Sequence, residues 1–439
     1  MKFRKKRLKF KRTIKTVSNM SKLLGSLILI FVMGAAIFLL AFSLPSFLST
    51  TYISSAVSFT GSVIESTASS TGLVSKSVVH IETPEPLKAL YMTACVAGTP
   101  AWRTDLKNLI ETTELNAIII DIKGESGKIS FPNNFPKVAS SGGCLVNDLR
   151  EFIEELHESE IYVIGRISVF QDASYTQIFP ELAVKKASNS GIWKDFKGLS
   201  FIDVGAKPYW EYVVNISKEA YAFGFDEINY DYVRYPSDGN LKDVSYSWTP
   251  NQEQSSGTGQ ASSTQSSRLM TKAEILKSFF KYLHDNMKNV GVKISVDLFG
   301  MTTTVENDMG IGQLLENALP YFDYVSPMVY PSHYPAYWNG FVKPAEHPYQ
   351  VIKIAMTKGV ERERAWNISN GFFSVDSNGA TTTPRSKLRP WLQDFHLGAT
   401  YGPDKVRAQI QATYDVGLTS WVLWNAANKY TKEALLPNE

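Results

Sequence analysis

The sequence of this 439-residue chain predicts an α/β fold, a (β/α)₈ TIM barrel that follows an N-terminal transmembrane helix and a flexible linker. Three observations lead to this prediction. An uncharged apolar run near the N-terminus is long enough to cross a bilayer, a Ser- and Thr-rich stretch follows it, and eight strand-like segments then alternate with amphipathic helical segments. A hydrophobic fraction of 44% over this length suits one large folded domain and excludes a disordered chain.

The N-terminal tail, residues 1–22, is strongly basic. It contains ten Lys and Arg and no Asp or Glu, whereas the rest of the chain contains 35 Lys and Arg against 42 Asp and Glu. A nucleic-acid-binding protein needs its basic excess on the folded body, because that is the surface that meets the phosphates. We therefore expect no nucleic acid partner.

The uncharged run, residues 23–44, would extend over about 33 Å as a helix, enough to cross the hydrocarbon core of a membrane. The basic tail before it predicts a single-pass anchor in the cell membrane, with the N-terminus in the cytoplasm and the body outside. A cleaved signal peptide is the alternative, since small residues follow at 52–56, but the apolar segment of such peptides is usually only about 7–15 residues long.

Residues 45–86 are rich in Ser and Thr and show no helical or strand period, which predicts a linker. The barrel domain is predicted over residues 87–436. Its strands are predicted at eight short segments rich in β-branched residues: 89–97, 116–123, 162–170, 226–233, 292–300, 322–330, 388–395 and 419–425.

Helices are predicted between these strands, where apolar residues recur every three or four positions: 103–113, 146–159, 208–223, 271–290, 312–319, 349–357 and 403–416. Strand–helix alternation with eight strands favours a closed barrel over an open doubly wound sheet. No Gly-rich phosphate loop follows the first strand, and we expect no cofactor. The polar segment 237–270 is predicted to be a disordered insertion.

Several strands have one aliphatic face and one face that carries charge. On the second strand Asp121 and Lys123 alternate with isoleucines, and Asn229, Asp231 and Asp297 occupy the same phase on the fourth and fifth strands. The two-residue period places these polar residues inside the barrel, where strand ends open onto the catalytic mouth. Further residues predicted there are Arg166 on the third strand and Gln393 or Asp394 on the seventh. A single carboxylate at a strand end can instead cap a helix, but three on different strands favour a site.

Clustered carboxylates in a water-accessible cleft are typical of glycoside hydrolysis, in which one acts as an acid and another as a nucleophile or base. Two-metal hydrolysis is a weaker alternative, because the six histidines show no metal-binding spacing, and we expect no metal ligands. Serine hydrolase chemistry is not supported, because the chain has no Gly-x-Ser-x-Gly motif.

Aromatic residues crowd the loop after the sixth strand and the end of the eighth: Tyr330, His333, Tyr334, Tyr337, Trp338 and Trp424. Flat side chains that are apolar on their faces and polar at an edge make good walls for sugar rings. These residues are therefore predicted to bind a polysaccharide or oligosaccharide, although the same residues would also serve to cover the barrel rim.

The two cysteines are Cys95, at the end of the first predicted strand, and Cys144, in the loop after the second, and adjacent strands bring both to the same end of the barrel. Outside the cytoplasm they are predicted to form a disulfide. The alternative is two unpaired buried thiols.

A set of motifs in chain order resembles a bacterial glycoside hydrolase family that is catalogued as a domain of unknown function with a predicted TIM barrel. The resemblance covers residues 88–435 and rests on segments such as NAIIIDIKGESG (116–127), GFDEINYDYVRYPSDG (224–239), DYVSPMVYPSHY (323–334) and GLTSWVLWNAANKYT (417–431). It implies a TIM barrel that acts on carbohydrate.

The same resemblance suggests residue roles. Asp231 is the Asp of the family's Tyr-Asp-Tyr-Val-Arg-Tyr-Pro motif, and Arg234 follows it. The chitinase-like pattern has its acid, a glutamate, where this chain has Val233, so that mechanism is not available unchanged. Barrels similar to the α-amylases place an Asp nucleophile on the fourth strand and the acid on the fifth strand, where this chain has Asp297 instead of the usual Glu.

The sequence therefore predicts a glycoside hydrolase that acts on a cell-envelope or exported polysaccharide, with Asp231 as nucleophile or base and Asp297 as acid. Glu125 and Asp394 remain alternative acids. Substrate-binding residues are predicted to be Asp121, Arg166, Asn229, Arg234, Tyr330, His333, Gln393, Trp424 and Asn425. The rival hypothesis is a non-catalytic barrel that binds carbohydrate.

The predicted topology is testable on intact cells that carry an epitope tag at each end of the chain. Protease added outside should digest the barrel and its C-terminal tag and leave the N-terminal tag intact, because the basic tail stays in the cytoplasm. Lysed cells, in which both tags should be lost, serve as the control. A barrel that resists protease until the cells are lysed would contradict the topology.

Overall fold

The computed structural model describes residues 78–133, 135, 144–249, 269–375 and 381–438. Within these ranges, every helix is too short or too polar to span a membrane. The predicted tail, residues 1–22, the predicted membrane anchor, residues 23–44, and the predicted linker up to residue 77 lie outside the described residues.

Eight parallel strands close into a barrel in which each strand pairs with the next along the chain and the last pairs with the first. The predicted TIM-barrel architecture of the described body is confirmed. The strands are β1 Lys88–Met92, β2 Ala117–Lys123, β3 Tyr162–Ser168, β4 Glu227–Asp231, β5 Lys293–Phe299, β6 Tyr324–Met328, β7 Trp391–Gln393 and β8 Trp421–Trp424.

Helices fill every connection between consecutive barrel strands. They are α1 Ala94–Ala97, α2 Pro100–Glu111, α3 Leu149–Glu158, α4 Tyr175–Ile178, α5 Lys207–Phe223, α6 Lys272–Met287, α7 Leu315–Ala318, α8 Pro348–Ser369 and α9 Pro403–Tyr414. Two small antiparallel pairs lie outside the barrel, Lys185–Lys186 with Val244–Ser245 and Ser374–Val375 with Thr381–Thr382.

Two strand and helix ends differ from the sequence prediction by five residues or more. The first strand ends at Met92, five residues early, because the Thr93 side chain caps α1 by accepting a hydrogen bond from Val96 N. Helix α8 extends to Ser369, twelve residues beyond its predicted end.

The core lies in two layers that the strand alternation separates. Side chains on the outer faces, such as Ile118, Ile120 and Ile228, are buried beneath the helices. Side chains on the inner faces, such as Ile119 and Ile164, fill the lower part of the barrel. The polar residues at the upper ends of the inner faces therefore lie above a packed interior, in which Glu227 and Arg389 form a buried ion pair at 3.0 Å.

Lys123 departs from the alternation. The pairing of β2 with β3 shifts register between Asp121 and Lys123, so that the prediction of an inward Lys123 is wrong. Its ammonium group is fully buried and donates to Ser168 O at 2.6 Å, and it pairs with Asp172 at 2.8 Å. It lies 5.9 Å from the ring centre of Tyr209 on α5, between the barrel and the helices.

The first part of the insertion that the sequence predicts to be disordered is ordered. Asp203, buried in the loop after β3, accepts hydrogen bonds from Trp248 N at 2.7 Å and from the Thr249 hydroxyl at 2.7 Å. These contacts fix residues 237–249 through a partner that is distant in sequence, which local composition does not reveal. Residues 250–268 lie outside the described residues.

Cys95 and Cys144 are joined as a disulfide, with their Cα atoms 4.8 Å apart. Cys95 lies in α1 and Cys144 in the loop after β2, so the bond ties two connections together at the C-terminal end of the barrel. The closed loop spans 49 residues.

Replacing both cysteines with serine should lower the free energy of unfolding by about 4 kcal/mol, because the open chain gains loop entropy in the unfolded state. Urea unfolding of the wild type and the double variant, each with and without reductant, measures the difference. Reductant should destabilise only the wild type. Two titratable thiols per denatured, unreduced wild-type chain would contradict the disulfide.

Candidate active site

Four charged side chains meet at the C-terminal end of the barrel interior. They are Asp121 on β2, Arg166 on β3, Asp231 on β4 and Asp297 on β5, and all four residues are buried. Strand pairing brings them together, because Asp121 lies in register with Arg166, and Ser168 of the same strand with Asp231. The two-residue period predicted the inward positions of Asp121, Asp231 and Asp297, and Arg166 was predicted to join them at the mouth.

Arg166 lies at the centre of this cluster. Its Nη1 donates to Asp121 Oδ1 at 2.6 Å, its Nη2 donates to Asp231 Oδ2, and its Nε lies 4.0 Å from Asp297 Oδ2. Burial alone would lower the pKa of the guanidinium, but the charges of Asp231 and Asp121 raise it well above its usual value. One permanent positive charge therefore faces three carboxyl groups.

Asp231 ends β4 and is held at both of its carboxylate oxygens. Oδ1 accepts a hydrogen bond from Tyr232 N at 2.5 Å, and Oδ2 accepts from Arg166. Tyr232 has a φ of +52°, a left-handed conformation that non-glycine residues rarely adopt, and it turns the chain sharply away from the strand. The Asp231 side chain is 9% exposed, at the edge of the mouth.

Asp297 is buried more deeply, with 1% of its side chain exposed. Its Oδ1 accepts hydrogen bonds from Asn229 Nδ2 at 2.9 Å and Trp391 Nε1 at 2.7 Å, while the buried Oδ2 has no hydrogen-bond partner. Burial and then the charge of Asp231 raise the pKa of Asp297 well above its usual value. The side chain therefore favours the neutral acid, with Oδ2 available to carry the proton.

Asp121 is the third carboxyl group, with a side chain that is 12% exposed. The Tyr91 hydroxyl on β1 donates to its Oδ2, and the Tyr91 ring stacks on Trp424 with ring centres 4.1 Å apart. Burial raises the pKa of Asp121, and the charge of Arg166 opposes that rise. An aromatic wall thus adjoins the carboxylates.

Sequence reasoning missed Tyr91 and Trp391 as members of the site. Both project into the barrel, in phase with Ala89 on β1 and Gln393 on β7. The two-residue alternation of their own strands is the signal that identifies both residues as inward-facing.

Other residues predicted to bind substrate surround this centre without touching its carboxylates. Tyr330 is buried, and its pKa is raised well above normal by burial and then by the charges of Asp297 and Asp231. His333 lies 5.3 Å from Tyr330 between ring centres, and burial lowers its pKa. Arg234 is enclosed by three aromatic rings and donates to Tyr235 O at 3.2 Å, so it does not hold Asp231.

Two more of the predicted residues, Gln393 and Asn425, form hydrogen bonds with loops. The Gln393 amide accepts from Ser332 N and donates to Phe395 O. Asn425 donates to the backbone oxygens of Asp394 and Lys429. These hydrogen bonds hold in place the loops at the C-terminal ends of β7 and β8.

The two alternative acids differ in their surroundings. Both carboxylate oxygens of Asp394 accept hydrogen bonds from Thr431, at 2.8 Å from its backbone N and 2.6 Å from its hydroxyl. Glu125 is exposed in the loop after β2, close enough for its charge to act on Asp121 and Tyr232. Across the described part of the chain, no three His, Cys, Asp or Glu side chains are arranged to hold a metal ion.

Residues 89–430 match the model of a protein family described as "Putative glycosyl hydrolase domain". No curated protein matches the sequence significantly.

Several solved structures are similar to this chain, including the following two. A hypothetical protein from Ruminiclostridium thermocellum ATCC 27405 is 30% identical over 47% of this chain and 96% of its own, with a TM-score of 0.38. The glycoside hydrolase domain of PgaB (BpsB) from Bordetella bronchiseptica is 11% identical over 79% of this chain and 95% of its own, with a TM-score of 0.53. The second similarity shows a shared fold.

Replacing Arg166 with leucine should destabilise the protein more at pH 7 than at pH 4. Without the guanidinium the pKa of Asp121, already raised by burial, rises further. A carboxyl group whose folded pKa is raised contributes stability at low pH that is lost as the pH rises. The decrease in the free energy of unfolding caused by the substitution should reach about 3–5 kcal/mol near neutrality.

Urea unfolding at pH 4, 5.5 and 7 measures this dependence. Arg385→Leu is the matched control, because Arg385 pairs with Glu85 at an exposed site and should cost less than about 1 kcal/mol at every pH. An Arg166→Leu protein whose stability parallels the wild type across this range would contradict the charge balance.

Proposed function

The chain belongs to this glycosyl hydrolase domain family, and we propose that it cleaves a cell-envelope or exported polysaccharide by a two-carboxylate mechanism. Asp231 acts as the nucleophile or base, and Asp297 acts as the acid. The observation that carries the proposal is the pairing of an arginine-bound carboxylate with a buried carboxyl group whose pKa is raised well above normal.

Asp297 suits the acid because burial and the nearby charge of Asp231 favour its protonated form. Its Oδ1 is engaged by Asn229 and Trp391, which leaves Oδ2 to carry the proton. In the reaction this proton passes to the glycosidic oxygen as the bond to the anomeric carbon breaks, so that the leaving sugar departs as a neutral alcohol.

Asp231 suits the role of nucleophile or base because Arg166 holds its Oδ2 and the backbone N–H of Tyr232 holds its Oδ1, which fixes the carboxylate at the strand end. Its carboxylate either attacks the anomeric carbon directly, or it removes a proton from the water that attacks. Carboxyl groups about 5–5.5 Å apart fit the first route, and wider separations fit the second. Adjacent strands, about 4.8 Å apart, are compatible with the shorter distance.

The depth of Asp297 sets a condition on this proposal. With 1% of its side chain exposed, a sugar reaches it only if neighbouring side chains move when substrate binds. Catalytic hydrogen bonds often tighten only in the substrate complex, so this condition is compatible with catalysis. The same burial favours the second candidate function, a barrel that binds carbohydrate without cleaving it.

The proposed setting is the outside of the cell membrane, with residues 23–44 as the anchor. The disulfide between Cys95 and Cys144 supports this setting, because disulfides persist in oxidising compartments outside the cytoplasm.

Asp231→Asn should lower kcat on a cleaved polysaccharide on the order of 10³-fold or more, while folding and sugar affinity persist. Asp105→Asn, an exposed position on α2, is the matched control and should keep wild-type turnover. Reducing-end release measures the rates, and a glycan array measures binding. Near-wild-type activity of Asp231→Asn contradicts the assignment, and wild-type binding without any release favours the non-catalytic barrel.

Asp297→Asn should impair substrates with poor leaving groups by about 10²–10⁴-fold and spare activated aryl glycosides, which need no protonation. The wild-type rate should fall as the pH rises through the raised pKa of Asp297, because the acid then loses its proton. This alkaline limb should vanish in the variant. If Asp297→Asn is silent on poor leaving groups, the acid lies elsewhere, at Glu125 or Asp394.

A further inference from the structure

Two aromatic rings stand in solvent at the catalytic end of the barrel. Phe196 and Tyr337 have the two most exposed large hydrophobic side chains among the residues that the structure describes, at 83% and 72%. Both lie in loops that follow strands, β3 and β6, and such loops form the C-terminal face of a barrel. Strands β4 and β5, which carry Asp231 and Asp297, lie between β3 and β6, so the two rings flank the proposed catalytic pair.

Phe196 lies in a turn that hydrogen bonds to the side chain of Asp195 hold in place. One carboxylate oxygen of Asp195 accepts hydrogen bonds from two backbone N–H groups of the turn, at 2.9 and 2.8 Å, and the other accepts from Gln171 Nε2 at 2.8 Å. Gln171 O in turn accepts from the Ser168 hydroxyl at 3.0 Å, and Ser168 lies in register with Asp231. A short chain of hydrogen bonds therefore connects this turn to the strand that flanks the site.

Tyr337 is held in an uncommon conformation. Its φ is +66°, and its carbonyl oxygen accepts a hydrogen bond from Gly340 N at 3.0 Å. The neighbouring Trp338 packs on Tyr334 with ring centres 4.4 Å apart, whereas the Tyr337 ring remains outside. The backbone thus maintains a left-handed tyrosine while leaving its ring without an intramolecular packing role.

We propose that Phe196 and Tyr337 are platforms for sugar units on either side of the catalytic centre, and that the substrate is a long glycan chain cut at internal bonds. This inference rests on the proposed function. A sugar ring offers an apolar face that covers a flat aromatic ring, and a rigid ring loses little entropy on binding. A substrate that spans both loops must extend over several sugar units, which a chain provides and a short glycoside does not.

The test uses the Asp231→Asn protein, which should bind polymers without cutting them. Affinity electrophoresis through glycol chitin, xylan and soluble β-glucan, with sedimentation on purified peptidoglycan, measures its binding. Phe196→Ala and Tyr337→Ala should each weaken binding of a retained polymer about tenfold, the loss expected for one aromatic contact. Phe372→Ala is the matched control, since Phe372 is 51% exposed in the segment that follows α8, and it should change binding less than twofold.

Three outcomes would overturn the inference: no binding of any of these polymers, undiminished binding by the double variant, or an equal loss in the Phe372→Ala control. Melting temperatures of all variants identify any that fail to fold, and Phe196→Leu and Tyr337→Leu then replace them. Wild-type hydrolysis is measured separately. Ring-dependent binding without hydrolysis contradicts the proposed function alone, and hydrolysis of short glycosides without ring-dependent binding contradicts this inference alone.

Discussion

The buried guanidinium of Arg166 is the interaction on which the candidate site depends. Three carboxyl groups at the end of a packed barrel would repel one another and lose hydration, and burial of uncompensated charge is costly. Arg166 binds Asp121 and Asp231 directly and leaves Asp297 4.0 Å away. One positive charge cannot balance three negative ones, so the most deeply buried carboxyl group is the one that favours its proton.

This imbalance connects the fold to the proposed chemistry. The strand register brings the ends of β2, β3, β4 and β5 together above a packed interior. Asn229 and Trp391 fix one oxygen of Asp297, and Tyr91 fixes Asp121 against the wall formed by Trp424. An ionised group and a neutral acid side by side are what glycoside hydrolysis requires.

The two-residue period predicted most of this arrangement from sequence. In a closed parallel barrel, alternate side chains of each strand face the barrel interior and the surrounding helices in turn, so the phase of a polar residue decides on which side it lies. It placed Asp121, Asp231 and Asp297 correctly on the inner face. It failed for Lys123, where a register shift turns the side chain outward, since a bulge has no signature in hydrophobicity. It also gave no guide to loop residues such as Asn425, whose partners are set by long-range contacts.

The most direct test of this account is the protonation state of Asp297 in the folded protein. Carbon-13 resonances of labelled aspartate carboxyl groups report ionisation, and the Asp297 signal is identified by its loss in Asp297→Asn. The account predicts that the pKa of this carboxyl group lies well above the usual range of aspartates, because burial and the charge of Asp231 favour the protonated form. An Asp297 resonance that titrates within the usual aspartate range would contradict the account.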